Sequence, residues 1–275
     1  MLKTRLKVFL LAMVFVIGMS GSAMASDIVI DGSTTVLPIA QLAVERFMAA
    51  NPEIGISLSG GGTGHGIRGL IDGTVHIANS SREIRQSEID QASANGVIPY
   101  QTIVAFDSIV PIVHRTNPVQ NLTFEQLKGI YTGVITNWSE VGGPDSPIAV
   151  IGRDSSSGTF ATWQEMVVDR GGQARVTPRA LIAPSSGGML SMVAGNPFAI
   201  GYDGIGYVDE SVNGVAVEGV TASLETTMDG SFPLARPLYM YTSGEPTGNV
   251  RAFLDFLLSP EGQMIVTEAG FVPLH

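Results

Sequence analysis

The sequence predicts an α/β fold in which mostly parallel strands are flanked by helices. Short apolar segments of strand-like composition alternate with segments whose apolar residues recur at helical spacing, in the order β-α-β-α-β-α up to Gly96. The connections are short and rich in glycine, as is usual between the units of such a sheet. The roughly 250 residues that follow the N-terminal segment are enough for one large domain or two lobes.

The N-terminal segment has the composition of a secretory signal peptide. Residues 1–7 are basic, residues 8–17 form an unbroken apolar run, and residues 23–25 read A-M-A, an A-x-A cleavage motif. The apolar run is shorter than the roughly 20 residues that span a bilayer, so a retained anchor is the weaker alternative. We expect a signal peptide over residues 1–25, cleaved between Ala25 and Ser26.

The absence of cysteine and the charge balance narrow the class of protein. Without cysteine there is no disulfide, no thiolate metal site and no lipid-modified N-terminal cysteine, which favours an unlipidated protein of the periplasm. The segment after the signal peptide has 12 basic and 25 acidic residues, a formal charge of −13. Such a chain offers no basic surface to nucleic acid. Any anion it binds must be held by local dipoles and one or two arginines.

The first half of the chain begins with a strand, a polar turn and a helix over "DIVIDGSTTVLPIAQLAVERFMAANP", which ends at Asn51-Pro52. "IGISL" predicts a strand, and "GGGTGHGIRGLIDG" predicts a glycine-rich turn that opens a short helix. "VHIANSSREI" predicts a strand that runs into a turn, and "QSEIDQASANG" predicts a helix. The long apolar run "TIVAFDSIVPIVHR" contains Pro111 and suits a strand that passes from one lobe to another.

The second half repeats the same alternation. "LTFEQLKGIYTG" predicts a helix with Thr123 and Gln126 at capping-box spacing. "PIAVIGRDSSSGTFATWQEMVV" predicts strand, turn and helix, "SSGGMLSMVAGNP" a helix, and "AIGYDGIGYV" a strand. "PLARPLYMYTS" predicts a returning strand, and "TGNVRAFLDFLLSPEGQMIVTEAG" predicts two closing helices.

Three turns share a composition that suits anion binding. "DGSTT", "GGGTGHG" and "RDSSSGT" each follow a predicted strand and precede a predicted helix. A helix N-terminus presents unpaired N–H groups and positive charge, hydroxyl groups add donors, and glycine allows close approach. "ANSS", with Ser80 and Ser81, ends another strand and adds a fourth set of donors. Each turn alone is typical of an ordinary N-cap, but together they favour a small tetrahedral anion, with Arg153 as its cation.

Most enzyme motifs are absent. "GHGIRG" matches the G-x-G-x-x-G pattern, but a nicotinamide cofactor does not suit an exported protein. The sequence has no G-x-x-x-x-G-K-[ST], G-x-S-x-G or H-E-x-x-H motif, and the spacing of the four histidines does not suit a metal. His65 lies inside a candidate anion turn and is therefore either a site residue or a solvent-facing one. We expect no cofactor, no metal ion and no catalysis.

Several segments together resemble a known family. "DGSTTVLPIA", "SGGGTGHGIRGL", "IANSSREI", "LTFEQLKGIYTGVITNWSEVGG", "GRDSSSGTF" and "AIGYDGIGYV" are similar to the periplasmic phosphate-binding proteins of phosphate ABC transporters. The resemblance covers nearly the whole chain after residue 25, in order. The stretches "LTFEQLKGIYTGVITNW" and R-x-x-x-S-G-T are the most specific.

This resemblance implies a two-lobed periplasmic binding protein fold, each lobe a mostly parallel sheet flanked by helices, joined by two crossover strands, with phosphate in the cleft. It places lobe one at residues 26–106 and 236–275, and lobe two at residues 107–235. The turns that match the family's motifs, with the "ANSS" turn added, give the predicted ligand set: Ser33, Thr34, Thr35, Thr63, Gly64, Ser80, Ser81, Arg153, Ser157, Gly158 and Thr159.

One position departs from the family. Some members carry an aspartate at the end of the third strand that accepts a proton from phosphate, where this chain has Ser80. Sulfate has no proton, so a buried carboxylate facing it would place two hydrogen-bond acceptors opposite each other, at a cost of roughly several kcal/mol. Without that aspartate the acceptor must lie elsewhere: Asp154, Asp31 and a serine hydroxyl are the candidates.

The resemblance implies an extracytoplasmic receptor that captures inorganic phosphate and delivers it to the permease of an ABC transporter. We expect it to act as a monomer in the periplasm, without binding nucleic acid. The alternatives are a receptor for another tetrahedral oxyanion such as sulfate or tungstate, a secreted phosphatase that uses a serine of "DSSSGT", and a module of the same fold that senses or scavenges phosphate without a transporter.

Overall fold

The structure is a computed structural model that describes residues 28–170 and 172–275. Its main sheet has the order β2-β1-β3-β11-β4-β8-β6-β7, and β9 pairs with β4. The strands are β1 Ile28–Gly32, β2 Ile56–Leu58, β3 Ile77–Ser80, β4 Pro99–His114, β5 Asn121–Leu122, β6 Ala149–Arg153, β7 Leu181–Ala183, β8 Ala199–Gly204, β9 Val212–Gly214, β10 Ala216–Val217 and β11 Ala235–Ser243.

Helices cover this sheet and begin with the caps that the sequence supplies. The helices are α1 Leu37–Ala50, α2 Thr63–Ile71, α3 Gln86–Ala94, α4 Phe124–Thr132, α5 Gly158–Trp163, α6 Ser186–Ala194, α7 Leu224–Met228, α8 Gly248–Leu258 and α9 Pro260–Glu268. The Thr123 hydroxyl accepts the Gln126 N–H at the start of α4, which is the capping box that the sequence predicts. A π-helical segment, Gln164–Asp169, continues α5, and single 3₁₀ turns span Trp138–Val141 and Ile205–Tyr207.

The apolar residues form separate cores on either side of a central strand pair. One core is formed by residues between Ile28 and Ala105 together with residues between Leu238 and Phe271. They belong to β1, α1, α8 and α9, to the first part of β4 and to the second part of β11. Another contains α4, α5, the π-helical segment and β8, between Ile109 and Leu234. A third packs α6 on β8. The region around the first core is called lobe one, and the region around the other two is called lobe two.

The long central strand β4 runs through both lobes, and β11 lies beside its first part. β4 pairs antiparallel with β11 from Pro99 to Ser108, and its second half pairs with β8. Pro111 lies in this second half opposite Tyr202, and the 16-residue strand continues through it. β1 pairs in parallel with β2 and β3, and β6 pairs in parallel with β7 and β8. The predicted two-lobed α/β fold with mostly parallel half-sheets and crossover strands is confirmed.

Within residues 28–170 and 172–275, no helix is both long and apolar enough to cross a bilayer. The predicted signal peptide, residues 1–25, and its cleavage site lie outside the described residues.

Candidate functional site

The four polar turns that the sequence singles out all lie at the carboxyl ends of strands. Residues 33–35 follow β1 and lead into α1, and Thr63 opens α2 after β2. Ser81 follows β3, while Ser157 precedes α5 and so follows β6. The carboxyl ends of parallel strands meet at one edge of a sheet, which is where open α/β sheets bind ligands. The strand-turn-helix pattern therefore positions these hydroxyl groups.

The turns of the two lobes are in direct contact. The hydroxyl groups of Thr35 and Thr159 are 2.8 Å apart, and the Ser81 hydroxyl is 3.4 Å from Thr159 Oγ1. Thr63 Oγ1 lies 3.4 Å from Ser81 Oγ and accepts the Ser81 N–H at 3.1 Å. These four side chains are buried. A hydroxyl-lined cluster thus joins three turns of lobe one to the first turn of α5 in lobe two.

Gly158 is the residue that lets α5 approach this closely. A Cβ atom at Gly158 would lie 2.5 Å from Thr63 Oγ1 and 2.6 Å from Ser81 Oγ, closer than real Cβ contacts. Gly64 contributes a backbone contact between the lobes, because its N–H donates to the carbonyl oxygen of Ser156 at 2.8 Å. The absence of a side chain at Gly158 thus allows the two lobes to meet around the hydroxyl groups.

Arg153 is the cation of this cluster. It ends β6 and is 3% exposed, and it donates through Nη2 to Thr34 Oγ1 at 3.2 Å and through Nη1 to Ser186 Oγ at 3.4 Å. Thr34 Oγ1 also accepts the Ser186 N–H at 3.3 Å. The buried Nε of Arg153 has no hydrogen-bond partner among the described residues. A buried guanidinium with a free donor is well suited to an anion.

A second buried arginine lies where the two lobes meet. Arg236 is paired in register with Asp107 across β11 and β4, and its Nε and Nη2 both contact Asp107 Oδ2, at 3.0 and 2.8 Å. Its Nη2 also donates to Thr159 Oγ1 at 2.9 Å, and its Nη1 donates to the Ser81 carbonyl at 2.8 Å. Burial raises the pKa of Asp107, and the Arg236 guanidinium opposes this rise. The pair therefore connects the crossover strands to the turns of both lobes.

A second buried carboxylate, Asp203, is the penultimate residue of β8 and lies beside the same cluster. Its Oδ1 accepts the Gly204 N–H at 2.9 Å, and its Oδ2 has no hydrogen-bond partner among the described residues. Burial raises the pKa of Asp203 to about 6. The Ser186 hydroxyl and the Arg153 guanidinium, both close to it, oppose this rise.

The remaining sequence candidates have mainly local contacts. The Ser33 hydroxyl accepts the Thr35 N–H, and the Ser157 hydroxyl caps α5 by accepting the Phe160 N–H. The Ser80 hydroxyl donates to the Arg82 carbonyl at 2.6 Å. Ser33, Ser80 and Ser157 are buried with the cluster. His65 is exposed and contacts the Gly61 carbonyl, so its side chain lies outside the cluster.

Each carboxylate suggested as a proton acceptor has one oxygen engaged in its own turn. Asp31 Oδ1 accepts the N–H groups of Gly32 and Gly61, which orders the turns after β1 and β2. Asp154 Oδ1 accepts both the N–H and the hydroxyl of Ser156. These interactions help to shape two of the turns.

Sequence reasoning did not single out Ser186, Asp107, Arg236 or Asp203 as site residues. Ser186 opens α6 after β7, so "SSGG" carries the same strand-turn-helix signal as the other turns. The other three are charged residues inside otherwise apolar strand segments, which is itself unusual, because a buried charge needs a partner. Their partners are far apart in sequence, so only the folded chain identifies them.

A cleft beside the cluster leads to the surface between the lobes. It has a volume of about 380 Å³. Ser81 and Arg236 line it together with Arg82 and Glu83 from lobe one and Glu165 from lobe two. The cluster itself offers hydroxyl, amide and guanidinium donors and two carboxylates. No group of three or more histidine, cysteine or acidic residues in the described ranges is arranged to hold a metal ion.

A comparison with protein families matches residues 19–261 to the PBP superfamily domain. The phosphate-binding protein PstS of Bacillus subtilis (strain 168) is 32% identical over 252 residues, covering 91% of this chain and 81% of that protein. PstS of Borreliella burgdorferi is 31% identical and covers 88% of each chain.

Solved structures agree with these sequence matches. A substrate-binding protein assigned to phosphate ABC transporters, from Clostridium perfringens and with bound phosphate, is 38% identical with a TM-score of 0.84. The match covers 90% of this chain and 99% of that one. An ABC-type phosphate transport receptor from Vibrio cholerae is 33% identical with a TM-score of 0.73, over 90% and 99% of the two chains.

Proposed function

This chain belongs to the PBP superfamily and, within it, to the phosphate-binding proteins of phosphate ABC transporters, and we propose that it works as their receptor subunit. It captures inorganic phosphate outside the cytoplasm and delivers it to a transporter. The ligand is enclosed where the turns of the two lobes meet. The permease is the membrane partner of the closed, loaded receptor.

The observation that carries the proposal is the buried contact between the lobe-one turns and the Arg153 turn. Arg153 and Thr159 of lobe two lie within hydrogen-bond distance of Thr34 and Thr35 of lobe one. The same small volume contains hydroxyl donors, helix N-termini and a guanidinium with an unpaired Nε. A tetrahedral anion is the ligand that such a set of converging donors suits best.

The donor set supports a tight complex. A hydrogen bond to a charged group contributes about 1.5–3 kcal/mol, and about −8 kcal/mol corresponds to a Kd of 1 μM. Several such bonds exceed that requirement even after the costs of association and ordering. The ligand set proposed from the sequence is retained, and Ser186 is added to it, because its hydroxyl contacts both Thr34 and Arg153.

In this proposal the boundaries between the two lobes lie where the chain passes from one hydrophobic core to the other. Lobe one is residues 26–106 and 236–275, and lobe two is residues 107–235. This division is supported by the change of core between Ala105 and Ile109 on β4 and between Leu234, just before β11, and Leu238 on β11. The hinge then contains Asp107 and Arg236.

Finer aspects of the function rest on the family and the chemistry of the chain. The receptor is a monomer of the periplasm, released by cleavage between Ala25 and Ser26, and it does not bind nucleic acid. It is a binding protein without catalytic activity. Incubation with a chromogenic phosphate ester tests the last point, and turnover that disappears on changing Ser157 to alanine would refute it.

Calorimetric titration of residues 26–275 with phosphate tests the proposed function. The protein is first unfolded, dialysed and refolded to remove bound anions. We expect one phosphate per chain with a Kd of roughly 1 μM or below. No heat and no thermal stabilisation at millimolar phosphate would refute the proposal.

A further inference from the structure

Asp203 has an unsatisfied oxygen beside the anion-binding groups. The side chain is fully buried, and its Oδ2 accepts no hydrogen bond from the described residues. The Ser186 hydroxyl, which lowers the pKa of Asp203 by hydrogen bonding to its carboxylate, lies 3.3 Å from Thr34 Oγ1 and 3.4 Å from Arg153 Nη1. A buried carboxylate oxygen without a donor is unfavourable, so this position favours a ligand that brings a donor of its own.

The charges around Asp203 determine what kind of ligand that is. Asp107 is engaged by Arg236 through two contacts, whereas Arg153 forms no salt bridge with a described carboxylate. Arg153 therefore attracts an anion into the space that Asp203 borders. A fully ionised anion would face the Asp203 carboxylate with oxygens that can only accept, and the two would repel each other. An anion that carries a proton can donate it to Oδ2 and avoid that repulsion.

We propose that Asp203 accepts a hydrogen bond from the protonated oxygen of the bound anion and thereby makes this site selective for phosphate over sulfate. The inference rests on the proposed function and deepens it. Phosphate carries one or two protons near neutral pH, and sulfate carries none. The role that the family resemblance associates with the end of β3, where this chain has Ser80, is thus taken by a residue at the end of β8.

The neighbouring titratable groups make this role dependent on pH. Arg153 faces Asp203 from β6, Asp107 faces it from β4 paired to Arg236, and Tyr207 lies next to it in the 3₁₀ turn. Burial raises the pKa of Tyr207, as it does that of Tyr202, so both phenols stay neutral. Asp203, with a pKa raised to about 6, is then the group that changes charge in mildly acidic solution.

Below pH 6 Asp203 carries its own proton and can donate it to sulfate. Above pH 6 it can only accept. Sulfate affinity should therefore rise at least fivefold between pH 8 and pH 5. Phosphate affinity should change less, because either partner of the pair can supply the shared proton.

The test is calorimetric titration of anion-free residues 26–275 with phosphate and with sulfate at pH 5 and pH 8. The proteins are the wild type, Asp203→Asn and a control, Asp209→Asn, whose exposed carboxylate accepts hydrogen bonds from Ser211. The asparagine amide can donate to sulfate. We expect the ratio of phosphate to sulfate affinity at pH 8 to fall at least tenfold in Asp203→Asn and to stay unchanged in the control.

Two results would overturn the inference while leaving the proposed function intact. One is an unchanged affinity ratio in Asp203→Asn, including an equal loss for both anions, which would indicate a packing role. The other is a wild-type sulfate affinity that is the same at both pH values, and this decides the question even if Asp203→Asn does not fold. Wild type that binds neither anion would instead refute the proposed function.

Discussion

At the scale of single residues, Arg153 is the group whose loss should harm binding most. It is buried, it contacts hydroxyls from both lobes, and its Nε is unpaired among the described residues. Arg153→Ala removes the cation from a buried anion site, where a charged hydrogen bond contributes about 1.5–3 kcal/mol. We expect phosphate affinity to fall at least tenfold in calorimetric titration.

Arg251→Ala is the matched control for this change, because Arg251 is an exposed arginine whose ion pairs with Glu245 and Asp255 are also exposed. Its phosphate affinity should equal that of the wild type. Equal affinities in all three proteins would show that the anion binds away from Arg153.

Asp203 should also affect how the stability of the ligand-free protein depends on pH. Its pKa is raised to about 6 in the folded state, against roughly 3.9 in an unfolded chain. The folded state thus binds more protons between these values, and wild type loses stability relative to Asp203→Asn as pH rises from about 4 to about 6. Between pH 4 and pH 7.5 the free energy of unfolding of the wild type should fall relative to that of Asp203→Asn by on the order of 2 kcal/mol.

Urea unfolding at pH 4 and pH 7.5, in buffer free of phosphate and sulfate, measures this difference. Asp209→Asn should follow the wild type apart from a small surface effect. A wild-type protein that is not weakened relative to Asp203→Asn at the higher pH would argue against a charged, buried Asp203.

Some residues of the site could be predicted from the sequence, and others could not. Arg153, Thr34 and Thr159 could be predicted, because each lies in a turn whose composition is itself unusual and points to an anion. Asp203 and Arg236 could not be assigned, because the neighbours that suggest their roles are more than a hundred positions away or on another strand. A charged residue inside an apolar strand segment predicts a buried partner for that charge, but it does not identify the partner residue.

At the scale of elements, the crossover strands carry the Asp107–Arg236 pair. The pair is buried, and Arg236 also donates to Ser81 and Thr159. Arg236→Gln leaves Asp107 without its cation, which typically costs 3–5 kcal/mol, roughly, in a buried pair. We expect the midpoint of thermal unfolding to fall by on the order of 10 °C.

The double variant Asp107→Asn/Arg236→Gln removes both charges and should recover part of this loss. Arg46→Gln, which breaks an ion pair between α1 and α9 at the surface, serves as the control and should shift the midpoint little. If Arg236→Gln unfolds at the wild-type temperature, the pair does not stabilise the junction of the lobes.

The elements themselves were predictable where periodicity and caps agree. The helices α1 and α4, with their proline stop and capping box, and the strand-turn-helix units followed from local sequence. The order of the strands did not, because β11 inserts between β3 and β4 only through long-range pairing. The segment after α5 was expected to continue as a regular helix, but Gln164–Asp169 widens into a π-helix.

At the scale of the whole molecule, the negative charge opposes the ligand. The segment after residue 25 has a formal charge of −13, and in the buried cluster two arginines are balanced by two aspartates. Phosphate therefore approaches against the net field until it reaches the donors of the turns. Raising the ionic strength from 0.01 to 0.15 M shortens the screening length from about 30 to about 8 Å. The association rate should rise roughly two- to fivefold.

Stopped-flow measurement of tryptophan fluorescence gives this rate. The buried Trp163 ring stacks on Tyr202, and Tyr202 lies close to Arg153. Potassium chloride is the suitable salt, since chloride lacks the tetrahedral oxygens of the ligand. A rate that falls as salt is added would mean that Arg153 and Arg236 attract the anion over a longer range than the net charge repels it.

The two-lobed arrangement makes one structure determination decisive. A crystal structure of residues 26–275 with phosphate should show the anion enclosed between the lobes. It should contact Arg153 and Thr159 from lobe two and Thr34 and Thr35 from lobe one, with one oxygen within about 2.7 Å of Asp203 Oδ2. Phosphate bound outside this cluster, or contacted by one lobe alone, would contradict a receptor that closes around its ligand.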